Sequence, residues 1–311
     1  MPQTRNVGRK CLRRMIIWNL VHGCHRKSEG CKHCYVFTRD EENGVDTNLV
    51  RKTASFNLPL RRNRKGEWKI PSGTEVMTCF SSDFFLPEMD AWREEAWEMM
   101  RFRHDLRFYM VTKRPERILQ SLPAFWNEIS ERITICCTME NQRRVDERLP
   151  VLLSLPLPHK EIIVEPMLGP VDFHGNLEDI ACVTVGGESG REARPCRYEW
   201  VLDVRRQYRD AGVHFHFMQT GACFIKDGKT YRLTHSIQMQ QARKADIDCW
   251  YGFDRASSVS KSFHVCLTIV SRLRDVLFTY ETALNSSSTT IILYQIVVLV
   301  DIKLYLWGWY E

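Results

Sequence analysis

Short apolar runs that alternate with amphipathic helical segments predict an α/β fold. The expected form is a partial or full TIM-like (β/α) barrel of parallel strands, with an atypical C-terminal tail. Two observations carry this. The runs are short and rich in β-branched and aromatic residues, as strands buried on both faces of a parallel sheet are. The segments between them place apolar residues at helical spacing. Right-handed crossovers curl such an array toward a barrel. A doubly wound open sheet is the rival, because no pattern in the chain fixes closure.

The first run, MIIWNL (15–20), leads into a cysteine-rich loop. EVMTCF (75–80), RFYMVT (107–112), ITICCT (133–138), EIIVEP (161–166), ACVTVGG (181–187) and HFHFMQ (214–219) follow as strands. LPEMDAWREEAWEMMRFR puts Met89, Trp92, Ala96 and Met99 on one helical face, with Pro87 near the first turn. RPERILQSL predicts a helix opened by Pro115. RRVDERLPVLLSL predicts another, and YEWVLDVRRQYRDAG a fourth that Gly212 closes. LPLRRNRKGEWKIPSG interrupts the pattern as a basic hairpin or excursion carrying Arg61, Arg62, Arg64, Lys65 and Lys69. Two domains result: residues 1–250 as the barrel and 251–311 as an extension. The extension's apolar run is broken by Asp301 and Lys303. A membrane helix needs about 20 nearly uncharged residues, so no span is predicted.

Charge is uneven. The net charge is +6, yet residues 1–70 hold 16 Lys/Arg against 6 Asp/Glu. A basic surface there is compatible with nucleic acid as a partner, or is simply solvated. The chain opens on a polar, basic segment rather than an apolar leader, and its 12 cysteines lack a secreted disulfide pattern. Reduced thiols in the cytoplasm are the expectation, and close spacing among them points to metal or catalysis.

HGCHRKSEGCKHCY (22–35) holds Cys24, Cys31 and Cys34 in a C-x6-C-x2-C spacing. Three ligands from one loop suit zinc, with His22, His25 or His33 completing a Cys3His site. They also suit a [4Fe–4S] cluster that keeps one iron open for a small chelating ligand. Iron is favoured on two grounds. There is no second C-x2-C pair, and the loop follows the first strand, at the end where barrels place active sites. Tyr35 would bring a ring beside the metal.

C-x2-C followed by an aromatic on this loop resembles the radical S-adenosylmethionine (SAM) superfamily, whose usual spacing is C-x3-C-x2-C. WNLVHGCHRKSEGCKHCYVF resembles an uncharacterised phage-type radical-SAM-like family that shares the longer gap, some of whose members accompany a three-Cys-motif partner protein. The resemblance continues through SGTEVMTCFSSDFF, FYMVTKRPERI, EPMLGP and GGESGREARP, and fades after QARKADID (241–248). It implies a partial barrel with a [4Fe–4S] cluster on Cys24, Cys31 and Cys34, SAM on the open iron, and an electron donor for cluster reduction. It also implies that SAM would be cleaved to a 5′-deoxyadenosyl radical acting on an unknown substrate.

The strand ends supply further candidates. By the resemblance, Ser82 and Asp83 lie where the SAM amino group is commonly held, and Lys113 or Arg114 would pair with its carboxylate. Gly186 and Gly187 would let backbone approach the adenine or ribose, although the superfamily's GGE motif follows the second strand and Gly186-Gly187-Glu188 follows the sixth. Glu165 ends the fifth strand. Each has a plain structural alternative: Ser82 and Asp83 as helix caps, Arg114 as a surface residue, Glu165 as a satisfied buried carboxylate. Arg191, Arg194 and Arg197 would hold a substrate phosphate or solvate a loop. Cys79, Cys136, Cys137 and Cys182 read as small core residues. The competing function is a non-catalytic, zinc- or cluster-stabilised nucleic-acid-binding protein.

Overall fold

The computed structural model describes residues 15–177 and 179–249. The predicted 251–311 extension lies outside them. Seven strands make one sheet: β1 (Met15–Trp18), β2 (Glu75–Thr78), β3 (Arg107–Thr112), β4 (Ile133–Thr138), β5 (Lys160–Val164), β6 (Ile180–Gly186) and β7 (His214–Gln219). They lie side by side in sequence order, and each neighbouring pair is parallel. A doubly wound sheet reverses its order at a switch point. This one never reverses, so the rival topology is excluded. β1 and β7 are not hydrogen-bonded to each other, which makes the barrel partial.

Alternation along the strands divides the sheet into two faces. Val76, Phe108, Met110, Ile135, Cys137, Ile162, Val164, Val183, Val185, Phe215 and Phe217 belong to the hydrophobic core. The opposite face presents Glu75, Met77, Tyr109, Val111, Thr138, Glu161, Ile163, Thr184 and Met218 to a single cavity. Side chains from six strands share one cavity only where the sheet curls around it.

The helices follow the predicted pattern with one exception. α2 (Asp90–Phe102) is preceded by a tight turn at Pro87–Met89, and buries Arg93, Ala96, Trp97, Met99 and Met100. α3 (Gln142–Ser154) is capped by Asn141, whose side chain accepts from the Arg144 N–H at 3.1 Å. α4 (Tyr198–Asp210) stops at Gly212, whose φ of +68° a side chain would resist. RPERILQSL, however, forms only a tight turn and one helical turn at Ile118–Ser121. Leu122 stands before Pro123, which forces it out of the helical region. Two longer helices escaped prediction, α1 (Tyr35–Glu42), directly after the cysteines, and α5 (His235–Lys244), as did a single helical turn at Trp126–Ile129. No helix joins β5 to β6 among the described residues.

The basic excursion is a hairpin closed by an Arg62–Trp68 bridge. Arg61 donates to Asn57 at 2.8 Å, and Arg62 donates to the Gly66 carbonyl at 2.6 Å while stacking 3.6 Å from the Trp68 ring. Those two arginines build the hairpin; Arg64, Lys65 and Lys69 stay exposed. No described helix is long and apolar enough to cross a membrane.

Candidate metal and cofactor site

A cavity of about 440 Å³ occupies the hollow of the sheet and reaches the C-terminal strand ends. Cys24, Cys31 and Cys34 all line it, as do Ser82, Asp83, Lys113, Arg114, Glu165, Gly187 and Glu188. Of the residues predicted to hold the metal or the cofactor, Gly186 is outside the lining. All described cysteines are free thiols. Burial, then the nearby Asp83 carboxylate, pushes the Cys24 thiol up to about 12; Cys31 and Cys34 add to the rise and Arg114 opposes it. Cys34 is the N-cap residue of α1. The Lys27 N–H donates to the Cys31 sulfur at 3.4 Å.

The three sulfurs share the cavity without converging on a point. A single tetrahedral zinc with bonds near 2.3 Å needs sulfurs about 4 Å apart. No described group of three His, Cys, Asp or Glu residues is placed to hold one ion. The histidines are also committed elsewhere. His22 bonds Asp40 at 2.8 Å, His25 bonds Glu88 at 2.5 Å, and His33 bonds Glu188 at 3.0 Å. The three thiols line one cavity, close to the N-terminus of α1.

The six-residue gap between Cys24 and Cys31 has a structural purpose. Its residues form a strap fastened to the loops after β2, β3 and β4. Arg114 Nη2 donates to the His25 carbonyl at 2.7 Å. Lys27 pairs with Glu116 at 2.7 Å, and Glu29 with Arg144 through two bonds at 2.9 and 3.0 Å. Glu140, fully buried, accepts from Ser28 Oγ and, at 3.3 Å, from the Gly30 N–H. A Cβ on Gly30 would sit 2.8 Å from that carboxylate, so only glycine permits the approach. Arg148 donates to Glu140 at 2.8 Å and to the Thr138 carbonyl at 2.6 Å. Beyond the strap, His33 reaches the loop after β6 through Glu188, which Arg194 holds by its backbone and guanidinium. Burial raises the Glu188 pKa, but the bonds from Arg194 and His33 outweigh it and leave it low.

Several candidates turn out to serve the framework. Asp83 accepts from Phe85 N–H at 2.9 Å, Thr112 Oγ1 at 2.9 and 3.0 Å, Lys113 N–H at 3.2 Å and Arg114 Nη1 at 2.9 Å. A carboxylate has about four acceptor positions, and these donors fill them. Asp83 and Arg114, read from sequence as separate ligands, are each other's partners. Ser82 Oγ donates to the Gly23 carbonyl at 2.5 Å, beside Cys24. Gly187 is small because backbone meets backbone: a Cβ there would lie 2.2 Å from the Thr220 carbonyl oxygen. Gly186 leaves room for the Glu165 carboxyl, 2.7 Å from where its Cβ would stand. Tyr35 lines the cavity, and its hydroxyl donates to the Phe80 carbonyl. Among the described residues, Lys113 is the cavity-lining cation outside the Asp83–Arg114 pair, with a long 3.4 Å contact to Thr138.

Glu75, Tyr109, Glu161 and Thr184 on the cavity floor were missed. Tyr109 donates to Glu161 at 3.1 Å. The signal was present: EVMT and EIIV each carry a glutamate at an inward position of a buried strand. Arg191 is exposed on the loop after β6, Arg194 is bound to Glu188, and Arg197 lies near the Trp200 ring. None of the three lines the cavity.

Residues 14–254 match a family model whose description is "Protein of unknown function (DUF5131)". No curated protein and no solved structure matches the chain.

Proposed function

We propose that this chain, which belongs to the family of that description, is a radical SAM-type iron–sulfur enzyme acting on a substrate still to be identified. The observation that supports this most is the meeting of Cys24, Cys31 and Cys34 on one cavity at the C-terminal end of a parallel partial barrel. In this reading Cys24, Cys31 and Cys34 would hold a [4Fe–4S] cluster, and a separate electron donor would be needed to reduce it. The chemistry such a cluster supplies with bound SAM is hydrogen-atom abstraction through a 5′-deoxyadenosyl radical.

The chain's own residues position and shield. Lys113 faces the cavity and suits a carboxylate partner such as that of SAM. The Asp83–Arg114 pair fixes the backbone after β3 and, through the His25 carbonyl, the residue beside Cys24. Glu140 and Glu188 hold the cysteine loop from two sides. Met77, Phe80, Val111 and Ile163 form apolar wall that keeps water from a reactive intermediate. Nucleic acid remains the partner class that the basic N-terminal portion suits; the exposed Arg64, Lys65 and Lys69 are its candidate contacts.

Anaerobic reconstitution tests the reading. Wild type should bind about four irons per chain and cleave SAM on reduction. Cys24→Ala, Cys31→Ala or Cys34→Ala should each abolish both, while Cys137→Ala, whose side chain belongs to the apolar core, should keep both. One zinc per chain with no SAM binding would instead favour the binding-module alternative. Iron lost from Cys137→Ala but kept by Cys24→Ala would overturn the ligand assignment.

A further inference from the structure

The cavity wall made by β5, β6 and β7 carries a carboxyl that the fold scarcely uses. Glu165 follows β5 and lines the cavity. Gln219 Nε2 donates to its Oε1, and among the described residues it has no other hydrogen bond and no ion pair. Gln219 is itself held in place. Its Oε1 accepts from Ser189 Oγ at 3.1 Å, and Ser189 lies 3.0 Å from Oε1 of the buried Gln238. Gln238 Nε2 in turn donates to the Leu233 carbonyl at 3.1 Å. Gly186 completes the arrangement by leaving space for the carboxyl. A relay of three polar side chains and one glycine thus orients a single carboxyl toward the cavity.

Burial pushes the Glu165 pKa up, while Gln219 and the field of Lys113 pull it down by less. A half-buried carboxyl with one neutral hydrogen bond adds little to stability. Where the fold gains so little from it, binding or chemistry is the physical reason for its presence.

We propose that Glu165, backed by Gln219, forms a substrate subsite for a neutral group that donates a hydrogen bond, a hydroxyl or a lactam N–H. The proposal rests on the functional reading above only in calling the occupant a substrate rather than a ligand. An anionic group would meet the carboxyl's own charge. A cationic group would share the field of Lys113. A neutral donor satisfies the second oxygen, Oε2, and adds no charge to the cavity.

Uridine carries both a lactam N–H and hydroxyls, ribose carries hydroxyls alone, and uridine 5′-monophosphate adds an anion. Saturation-transfer NMR with these probes on the full chain tests the subsite, with Glu165→Leu and Glu165→Gln beside wild type. Wild type should bind uridine, and ribose binding tells the hydroxyl from the lactam. Glu165→Leu should weaken uridine by at least about tenfold. Glu165→Gln still accepts a hydrogen bond and should stay within about threefold. The monophosphate should bind no tighter than uridine. Glu165→Leu should also melt higher than wild type, because an apolar chain replaces a poorly paired carboxyl.

Four results would overturn the proposal: equal uridine binding by wild type and Glu165→Leu, binding of neither uridine nor ribose, a lower melting temperature for Glu165→Leu, or displacement of uridine by SAM, which would make this the cofactor's pocket. Iron content, measured on the same samples, keeps the two readings apart. Uridine binding without iron loading sinks the enzyme assignment and leaves the subsite standing.

Discussion

Removing the Glu140 side chain should release the strap that carries the cysteines. Glu140 is fully buried and Arg148 is 4% exposed, so Glu140→Ala leaves a guanidinium in the interior with only the Thr138 carbonyl as partner. It also strips an acceptor from the Gly30 N–H and from Ser28 Oγ. Breaking a buried pair by deleting one partner costs about 3–5 kcal/mol. In a domain of this size each kcal/mol moves Tm by roughly 2–4 °C, so a drop on the order of 10 °C is expected. Replacing both partners, Glu140→Leu with Arg148→Met, should recover most of it, since no charge is then left buried. Thermal melts by circular dichroism measure the first effect. The rate at which iodoacetamide labels Cys31 in the iron-free protein, followed by peptide mass spectrometry, measures the second. Cys31 is 9% exposed and should label several times faster once the strap is loose. A Tm within about 2 °C of wild type, with unchanged labelling, would refute the reasoning.

Other expectations follow from single contacts. Gly187→Ala would push a methyl to 2.2 Å from a backbone oxygen that has no rotamer to yield; a loss of about 3 kcal/mol or more in urea unfolding is expected. Gly190→Ala meets nothing within 4 Å and should cost only the strain of its φ of +102°, about 1 kcal/mol. Hydrogen bonds from Arg103, together with that from Ser72, hold Asp105 well below the ordinary carboxylate range, although burial opposes them. Its contribution is therefore complete above about pH 4, the unfolded value, and fades as pH falls below it. The stability gap between wild type and Asp105→Asn should shrink between pH 7 and acid; a constant gap would contradict the assignment. Neutralising Arg64, Lys65 and Lys69 together should flatten the salt dependence of any nucleic-acid binding by roughly three units of log–log slope. An unchanged slope removes the hairpin as a phosphate contact.

The sheet was legible because parallel strands buried on both faces are continuous apolar runs. RFYMVT, ITICCT and HFHFMQ match β3, β4 and β7 to the residue. Sequential order was not legible, since crossover direction leaves no mark in local composition. The RPERILQSL helix failed because a helical period says nothing about Pro123 until the residue before it is weighed. At the site, the pattern of charged residues after most strands was visible, but their mutual pairing was not. Asp83 and Arg114 lie 31 positions apart, and Glu140 and Gly30 lie 110 apart. Pairing over such distances belongs to the fold. The glycines are a related case: GG after a strand shows that something comes close, and Glu165 and Thr220 are the protein neighbours a Cβ there would meet.

Because β1 and β7 never bond, the sheet is a horseshoe, and little within it sets the width of its opening. His33 and Glu188 act as a clasp, tying the segment after the first strand to the turn after the sixth. Through that clasp the cysteine segment is coupled to the far arm, where Gly187 and Gly221 press backbone on backbone. The span across the hollow is therefore tied to the position of the cysteine segment.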